Sequence, residues 1–150
     1  MNKKMQILVM NGPNLNMLGI REPDIYGRKT YADLVAFIQE AAKELDVEVD
    51  IRQSNHEGVI IDWIQEALGK FDAIVINPAA YTHTSIGIMD ALKAVALPAV
   101  EVHISDISTR EDFRHISYAS KACFATIAGY GFEGYRMALE KCIEKLANEQ

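Results

Sequence analysis

The chain has 150 residues, of which 49% are hydrophobic and 24% are charged, a composition that excludes an intrinsically disordered protein. This length favours one domain, residues 1–150, with room for a hydrophobic core. The net charge of −6 is not offset by any dense stripe of lysine and arginine. We therefore expect no nucleic-acid partner.

The sequence contains no signal for a membrane or an oxidising compartment. No apolar run approaches the roughly 20 residues that span a bilayer, and the N-terminal segment lacks the apolar core of a signal peptide. Cys123 and Cys142 match no metal spacing and no disulfide framework. These features predict a cytoplasmic protein with two buried, reduced thiols and no membrane partner.

Short runs rich in β-branched residues alternate with longer segments of helical periodicity. Thr30 and Ser85 are predicted helix caps, Gly69 a helix stop, and Pro98 a break before a strand. In chain order, we predict strand 6–11, helix 31–45, strand 48–53, helix 59–69, strand 73–77, helix 85–96, strand 99–104, strand 123–128 and helix 134–147.

This alternation with short links predicts an α/β fold with a parallel sheet between two helical layers. For five strands the leading arrangement is a flavodoxin-like three-layer sandwich with strand order 2-1-3-4-5. Ligands bind such sheets at the carboxyl ends of the strands, beside the point where the order reverses. That point lies between strands 1 and 3.

Unusual polar segments follow the strands that meet there. The first is NGPNLNMLGIREPDIYG at residues 11–27, and the others are NPAAYTHTS at 77–85 and EVHIS at 101–105, which continues to Arg114. The first segment has glycines and a proline compatible with a loop that closes over a substrate, although the same residues also mark ordinary turns. The three segments together predict one site.

Glu101 and His103 are two apart on a predicted strand, so their side chains point to the same face. A carboxylate beside a histidine fixes the tautomer and favours the protonated imidazole, as a general acid requires. A purely structural hydrogen-bonded pair is the alternative.

Arg21 and Tyr26 share the first polar segment. A phenol has a pKa of about 10, so basicity near neutral pH requires lowering it by roughly 3 units, or about 4 kcal/mol. A cation about 4 Å away supplies roughly that energy only where water is excluded, and Arg110 or Arg114 could assist. Otherwise Tyr26 is a packing residue and Arg21 a solvated charge.

Asn77 ends the third strand, and His83 precedes a predicted helix start, where free backbone N–H groups attract anions. A small carboxylate or hydroxylated ligand would fit there, whereas a capping or surface histidine is the alternative. The segment GYGFEG at 129–134 matches a dinucleotide-binding pattern but follows the last strand, so no βαβ unit remains to support it. The four histidines have no metal-ligand spacing, and no phosphate loop, hydrolase elbow or zinc motif occurs.

The three polar segments, including TREDFRHISY after EVHIS, closely resemble those of type II 3-dehydroquinate dehydratases. The resemblance covers nearly the whole chain. It implies a flavodoxin-like domain and a homododecamer built as a tetramer of trimers. It also implies dehydration of 3-dehydroquinate to 3-dehydroshikimate, without cofactor or metal, in the shikimate pathway to chorismate and the aromatic amino acids.

The resemblance also assigns roles to single residues. Tyr26 matches the base that removes a C2 proton, supported by Arg21, and Asn14 matches a residue that orients water at the enolate oxygen. His103, held by Glu101, matches the acid that protonates the departing C1 hydroxyl. The matched substrate-binding positions are Asn77, His83, Arg114, the backbone of Ile104 and Ser105, and Asp90 contributed by a neighbouring subunit.

Three residues depart from the usual family pattern: Asp106, Ala79 and Ile116. Asp106 adds a negative charge near the expected carboxylate site, so substrate affinity could differ. Two other classes remain open, a different cofactor-free lyase or isomerase of a cyclic hydroxy acid and a non-catalytic flavodoxin-like module. A catabolic role with quinate is an alternative to the biosynthetic one.

Overall fold

In the computed structural model, which describes residues 3–20 and 28–149, five parallel strands form one sheet in the order β2-β1-β3-β4-β5. The predicted order and its switch point are confirmed. The strands are β1 (Gln6–Asn11), β2 (Glu48–Gln53), β3 (Ala73–Asn77), β4 (Ala99–His103) and β5 (Ala125–Ala128). The α-helices are α1 (Tyr31–Glu44), α2 (Glu57–Glu66), α3 (Ile86–Val95) and α4 (Glu133–Asn148).

Two hydrophobic cores lie on opposite faces of the sheet. One core joins alternate strand residues such as Ile7 and Val75 to α1 and α4, and the other joins Leu8 and Ile74 to α2 and α3. The central strands are buried on both faces, which explains why their sequences are almost continuously apolar. The result is the expected three-layer flavodoxin-like architecture.

Side-chain hydrogen bonds cap the first turns of α1 and α3. The Thr30 hydroxyl accepts from the backbone of Asp33, and the Asp33 carboxylate accepts from the backbone of Thr30, forming a capping box. The Ser85 hydroxyl accepts from the N–H of Ile88 at 2.9 Å. Both predicted caps are confirmed.

Several predicted boundaries were wrong by a few residues. Helix α2 begins at Glu57 instead of residue 59, because an acidic residue suits the first turn, and it ends at Glu66 before a turn in which Gly69 has φ of +82°. Strand β5 begins at Ala125 instead of residue 123, because the short 3₁₀ helix Ala119–Ala122 occupies the preceding chain. Strand β4 and helix α1 each end one residue early, whereas α3 is shorter and α4 longer than predicted by one residue at each end.

Cys123 is half-buried and Cys142 is buried, and both are free thiols. Burial raises the pKa of each to about 12, so neither is a reactive thiolate near neutral pH. None of the helices in residues 3–20 and 28–149 is long and apolar enough to cross a bilayer.

Candidate active site

A cleft of about 620 Å³, counting its open mouth, lies at the carboxyl ends of β1, β3 and β4. Its polar walls come from all three predicted segments. Its lining residues are Pro13, Asn14, Leu15, Leu18, Asn77, Ala79, Ala80, His83, His103, Ile104, Ser105, Ile107, Arg110 and Arg114.

The segments that leave β1 and β3 approach each other closely beside the cleft. The N–H of Gly12 donates to the carbonyl of Asn77 at 2.8 Å, and a Cβ at Gly12 would lie 2.5 Å from the Pro78 oxygen. Only glycine fits without displacing backbone. Asn14 follows in the left-handed region with φ of +70°, and its N–H donates to Oδ1 of Asn55 at 3.0 Å. Asparagine tolerates this conformation better than most residues.

Asn77 is almost fully buried, and its side-chain amide is held at both ends. Its Nδ2 donates to the hydroxyl of Tyr135 at 2.9 Å, and its Oδ1 accepts from the N–H of Ala79 at 3.1 Å. The Tyr135 hydroxyl donates in turn to Oδ1 of Asn11 at 2.6 Å. The amide orientation is therefore defined, because a flipped Asn77 would set its NH₂ against the Ala79 N–H.

Glu101 and His103 lie on one face of β4, as the strand periodicity predicted. The Nε2–H of His103 donates to Oε2 of Glu101, and both side chains are buried, Glu101 completely. Val100, Val102 and Ile104 pack into the core on the opposite face. With Nε2 engaged, Nδ1 is the His103 nitrogen left to meet a ligand.

His83 lines the cleft and has a defined tautomer. Its Nδ1–H donates to the carbonyl of Ile116 at 2.7 Å, which leaves Nε2 without the proton in the neutral ring. Partial burial lowers the pKa of His83 below its usual value, and the charges of His103 and Arg114 act in the same direction. The hydrogen bond to the Ile116 carbonyl and the charge of Glu101 act in the opposite direction and raise the pKa of His83.

Arginine side chains line another part of the cleft. Nε of Arg114 lies 3.2 Å from Oε1 of Glu111, and Nε of Arg110 lies 3.8 Å from the same oxygen. Both guanidinium groups are mostly sheltered, whereas the Glu111 side chain is 54% exposed. Together with Ser105, they give this wall the character of a carboxylate-binding site.

The Asp106 carboxylate is directed to its own loop. Its Oδ1 accepts from the N–H and the hydroxyl of Ser108 at 2.9 and 2.6 Å, capping the short helix Ile107–Thr109. These hydrogen bonds lower the pKa of Asp106. Asp106 does not line the cleft, so the structure gives no direct contact for the expected effect on affinity.

The structure brings together most of the predicted site residues. Asn14, Asn77, His83, His103, Ile104, Ser105 and Arg114 line one cleft, with Glu101 beneath His103. Asp90 is exposed on α3 and does not line the cleft of its own chain. Arg21 and Tyr26 lie outside the described residues.

Sequence reasoning missed the polar side chains that support the site from behind. Ser117 and Thr126 contact Glu101, and Tyr135 contacts Asn77. Tyr135 is 58 positions from Asn77, and no local pattern in the sequence connects the two side chains. In residues 3–20 and 28–149, no three His, Cys, Asp or Glu side chains come together as a metal-binding group.

Comparison with known proteins shows the family of the chain that carries this cleft. The family model described as "Dehydroquinase class II" matches residues 5–143. The chain belongs to the class II dehydroquinase family. A 3-dehydroquinate dehydratase of Endomicrobium trichonymphae is 54% identical over 92% of this chain and 96% of its own length.

Other class II dehydroquinase relatives agree in sequence and structure. A 3-dehydroquinate dehydratase of Clostridium acetobutylicum is 54% identical over 90% of this chain and 94% of its own. The solved type II dehydroquinase of Butyrivibrio crossotus is 52% identical, covers 95% of this chain and 99% of its own, and superimposes with a TM-score of 0.93. The predicted family resemblance is confirmed.

Proposed function

We propose that this chain dehydrates 3-dehydroquinate to 3-dehydroshikimate in the shikimate pathway to chorismate and aromatic amino acids. The observation that carries the proposal is the cleft of this class II dehydroquinase. His103, which is hydrogen-bonded to the buried Glu101, lines this cleft together with Asn77, His83 and Arg114. Acid chemistry and carboxylate recognition therefore meet in one small cleft.

The proposed reaction begins when the Tyr26 phenolate removes a proton from C2, next to the C3 ketone. Arg21 stabilises the phenolate and the developing enolate charge, and Asn14 orients a water at the enolate oxygen. The imidazolium of His103 then protonates the C1 hydroxyl, which leaves as water while the C1–C2 double bond forms. The elimination involves no net oxidation, and we propose that it uses no cofactor or metal.

The remaining cleft residues bind the substrate. Arg114 and the backbone of Ile104 and Ser105 are proposed to receive the C1 carboxylate, which matches the sheltered positive charge at that wall. Asn77 and His83 are proposed to contact ring hydroxyls. The orientation of the Asn77 NH₂ group is defined, and Nε2 of neutral His83 can accept a hydrogen bond from a hydroxyl.

We propose that the working form is a cytoplasmic homododecamer, a tetramer of trimers. The position of Asp90 supports contact between subunits, because it is exposed on α3 and away from the cleft of its own chain. A neighbouring chain would then supply this carboxylate.

A direct assay tests the activity. Purified protein is mixed with 3-dehydroquinate, and the conjugated product is followed by its ultraviolet absorbance, with and without a chelator. We expect turnover in both samples and a Tyr26→Phe variant that is folded but nearly inactive.

No turnover with 3-dehydroquinate, combined with turnover of another cyclic hydroxy acid, would assign the cleft to a different lyase or isomerase. No turnover with any such acid would indicate a binding module. Wild-type-like rates in Tyr26→Phe would remove the base assignment alone.

A further inference from the structure

The Ser117 hydroxyl lies directly against the buried carboxylate that supports His103. Its Oγ is 2.8 Å from Oε1 and 2.9 Å from Oε2 of Glu101, so one O–H spans both oxygens. Ser117 is separated from Glu101 by 16 positions and belongs to the connection between β4 and β5. Nothing in the family resemblance or the cleft lining assigns it a role.

The direction of this hydrogen bond is defined by a second contact. The N–H of Ser120 donates to Oγ of Ser117 at 3.0 Å, so the serine oxygen accepts there and its proton is left for Glu101. The hydroxyl of Ser120 makes a separate hydrogen bond to the Ser117 carbonyl at 2.9 Å and does not touch Glu101. The donors form a chain from the Ser120 amide through Ser117 to the carboxylate and strengthen one another.

Glu101 needs such donors because its side chain has no exposure to solvent. A buried carboxylate is strongly disfavoured unless its oxygens accept hydrogen bonds. His103 donates to Oε2, and Thr126 lies at the outer limit of hydrogen bonding, 3.5 Å from Oε1. Ser117 is therefore the close donor that reaches both oxygens, and it limits rotation of the carboxylate about its last bond.

We propose that Ser117 is a positioning residue that fixes the Glu101 carboxylate against His103 and so aims the imidazole into the cleft. The catalytic part of this inference rests on the proposed function. Ser117 does not line the cleft and acts only through Glu101. Arg114 lies three residues earlier on the same connection, so a single segment supports both the acid and the carboxylate-binding wall.

The chain offers a matched control for the test. Ser117→Ala removes the hydroxyl that contacts Glu101, whereas Ser120→Ala makes the same chemical change three residues later and keeps the backbone N–H that Ser117 accepts. Ser117→Thr keeps a hydroxyl at the tested position. Each variant is assayed for kcat, for KM and for exchange of the C2 hydrogen in D₂O.

Hydrogen bonds to charged groups are strong enough that Ser117→Ala should lower kcat by about 10-fold or more. KM should change by less than about 3-fold, because no substrate contact is lost. C2 exchange should persist, since it precedes the acid step, so the ratio of exchange to dehydration should rise. Ser120→Ala should resemble the wild type, and Ser117→Thr should recover most of kcat.

Wild-type kcat in Ser117→Ala, or an equal loss of exchange and dehydration, would overturn the proposal. If the alanine variant does not fold, Ser117→Cys keeps the volume with a weaker donor and is judged by the same ratio. A readout without turnover separates this inference from the proposed function. The ¹H and ¹⁵N resonances of His103 Nε2–H should move in Ser117→Ala and stay in place in Ser120→Ala, even if 3-dehydroquinate is not converted; unmoved resonances in Ser117→Ala would overturn the inference.

Discussion

Asn77 depends on a hydroxyl from the last helix of the chain. Tyr135 is completely buried on α4, and burial raises its pKa, so it remains a neutral phenol that both donates and accepts. It links Asn11 at the end of β1 to Asn77 at the end of β3, residues that are paired in the sheet register. A single side chain thus connects the ends of β1 and β3 at the switch point.

Replacing Tyr135 with phenylalanine should destabilise the protein and weaken substrate binding. The Asn77 Nδ2 and the Asn11 Oδ1 would each lose the hydrogen bond to the Tyr135 hydroxyl, and a buried polar atom left unsatisfied costs about 1–3 kcal/mol. Tyr31→Phe is the control, because Tyr31 is half-buried and contacts only Asn11 of this pair, at 3.4 Å. Urea unfolding and KM measure the two effects. Equal changes in stability and KM in Tyr135→Phe and Tyr31→Phe would show that the hydrogen bond between Tyr135 and Asn77 adds nothing to either property.

His83 should titrate below the usual histidine pKa of 6.5, because its partial burial disfavours the imidazolium. The unfolded chain then binds more protons between the two pKa values, so stability is highest above pH 6.5 and falls as the pH drops through the folded pKa. A ¹H–¹⁵N titration of the ring gives the midpoint, and His83→Gln should remove this part of the pH dependence of unfolding. A midpoint at or above 6.5 would contradict the lowered pKa of His83.

At the scale of elements, Gly12 determines how closely β1 and β3 approach at the cleft. Gly12→Ala would place a methyl group 2.5 Å from the Pro78 oxygen and 2.7 Å from its carbonyl carbon. Backbone must move, so we expect a loss of about 1–3 kcal/mol and a higher KM, since Asn14 and Asn77 lie on the two sides of this contact.

Gly58→Ala is the matched change at an unhindered position. Gly58 is in the first turn of α2, and a Cβ there would meet no atom within 4 Å. Alanine should leave stability unchanged or raise it by up to about 1 kcal/mol. Thermal unfolding of both variants checks the pair, and a Gly12→Ala protein as stable as Gly58→Ala would show that the two strand ends can separate freely.

At the scale of the whole molecule, we propose that a neighbouring chain completes the site. If Asp90 serves a neighbouring cleft, Tyr26→Phe and Asp90→Ala oligomers should each have low activity. Mixed oligomers should recover part of it, because some clefts combine an intact Tyr26 with an intact Asp90. Co-expression with two tags and purification through both provides the mixed sample. Activity no higher than the average of the parents would show that a neighbouring chain does not supply Asp90 to the cleft.

The sequence was informative about this protein wherever a repeating pattern carried the signal. Buried strands read as apolar runs, and amphipathic helices alternated with them, which was enough for the layer order and the switch point. The two-residue period of a strand was enough to pair Glu101 with His103. The motifs in the three polar segments were enough for the family.

Only the tertiary structure decided which polar groups support those residues. Tyr135 is 124 positions from Asn11 and 58 from Asn77, and Ser117 reaches Glu101 across a connection interrupted by short 3₁₀ helices. Such hydrogen bonds have no periodicity, because they depend on how separate elements pack and not on local propensity. The sequence by itself therefore determined the sheet, its layers and the pairing of Glu101 with His103, whereas packing decided which side chains contact Asn77 and Glu101.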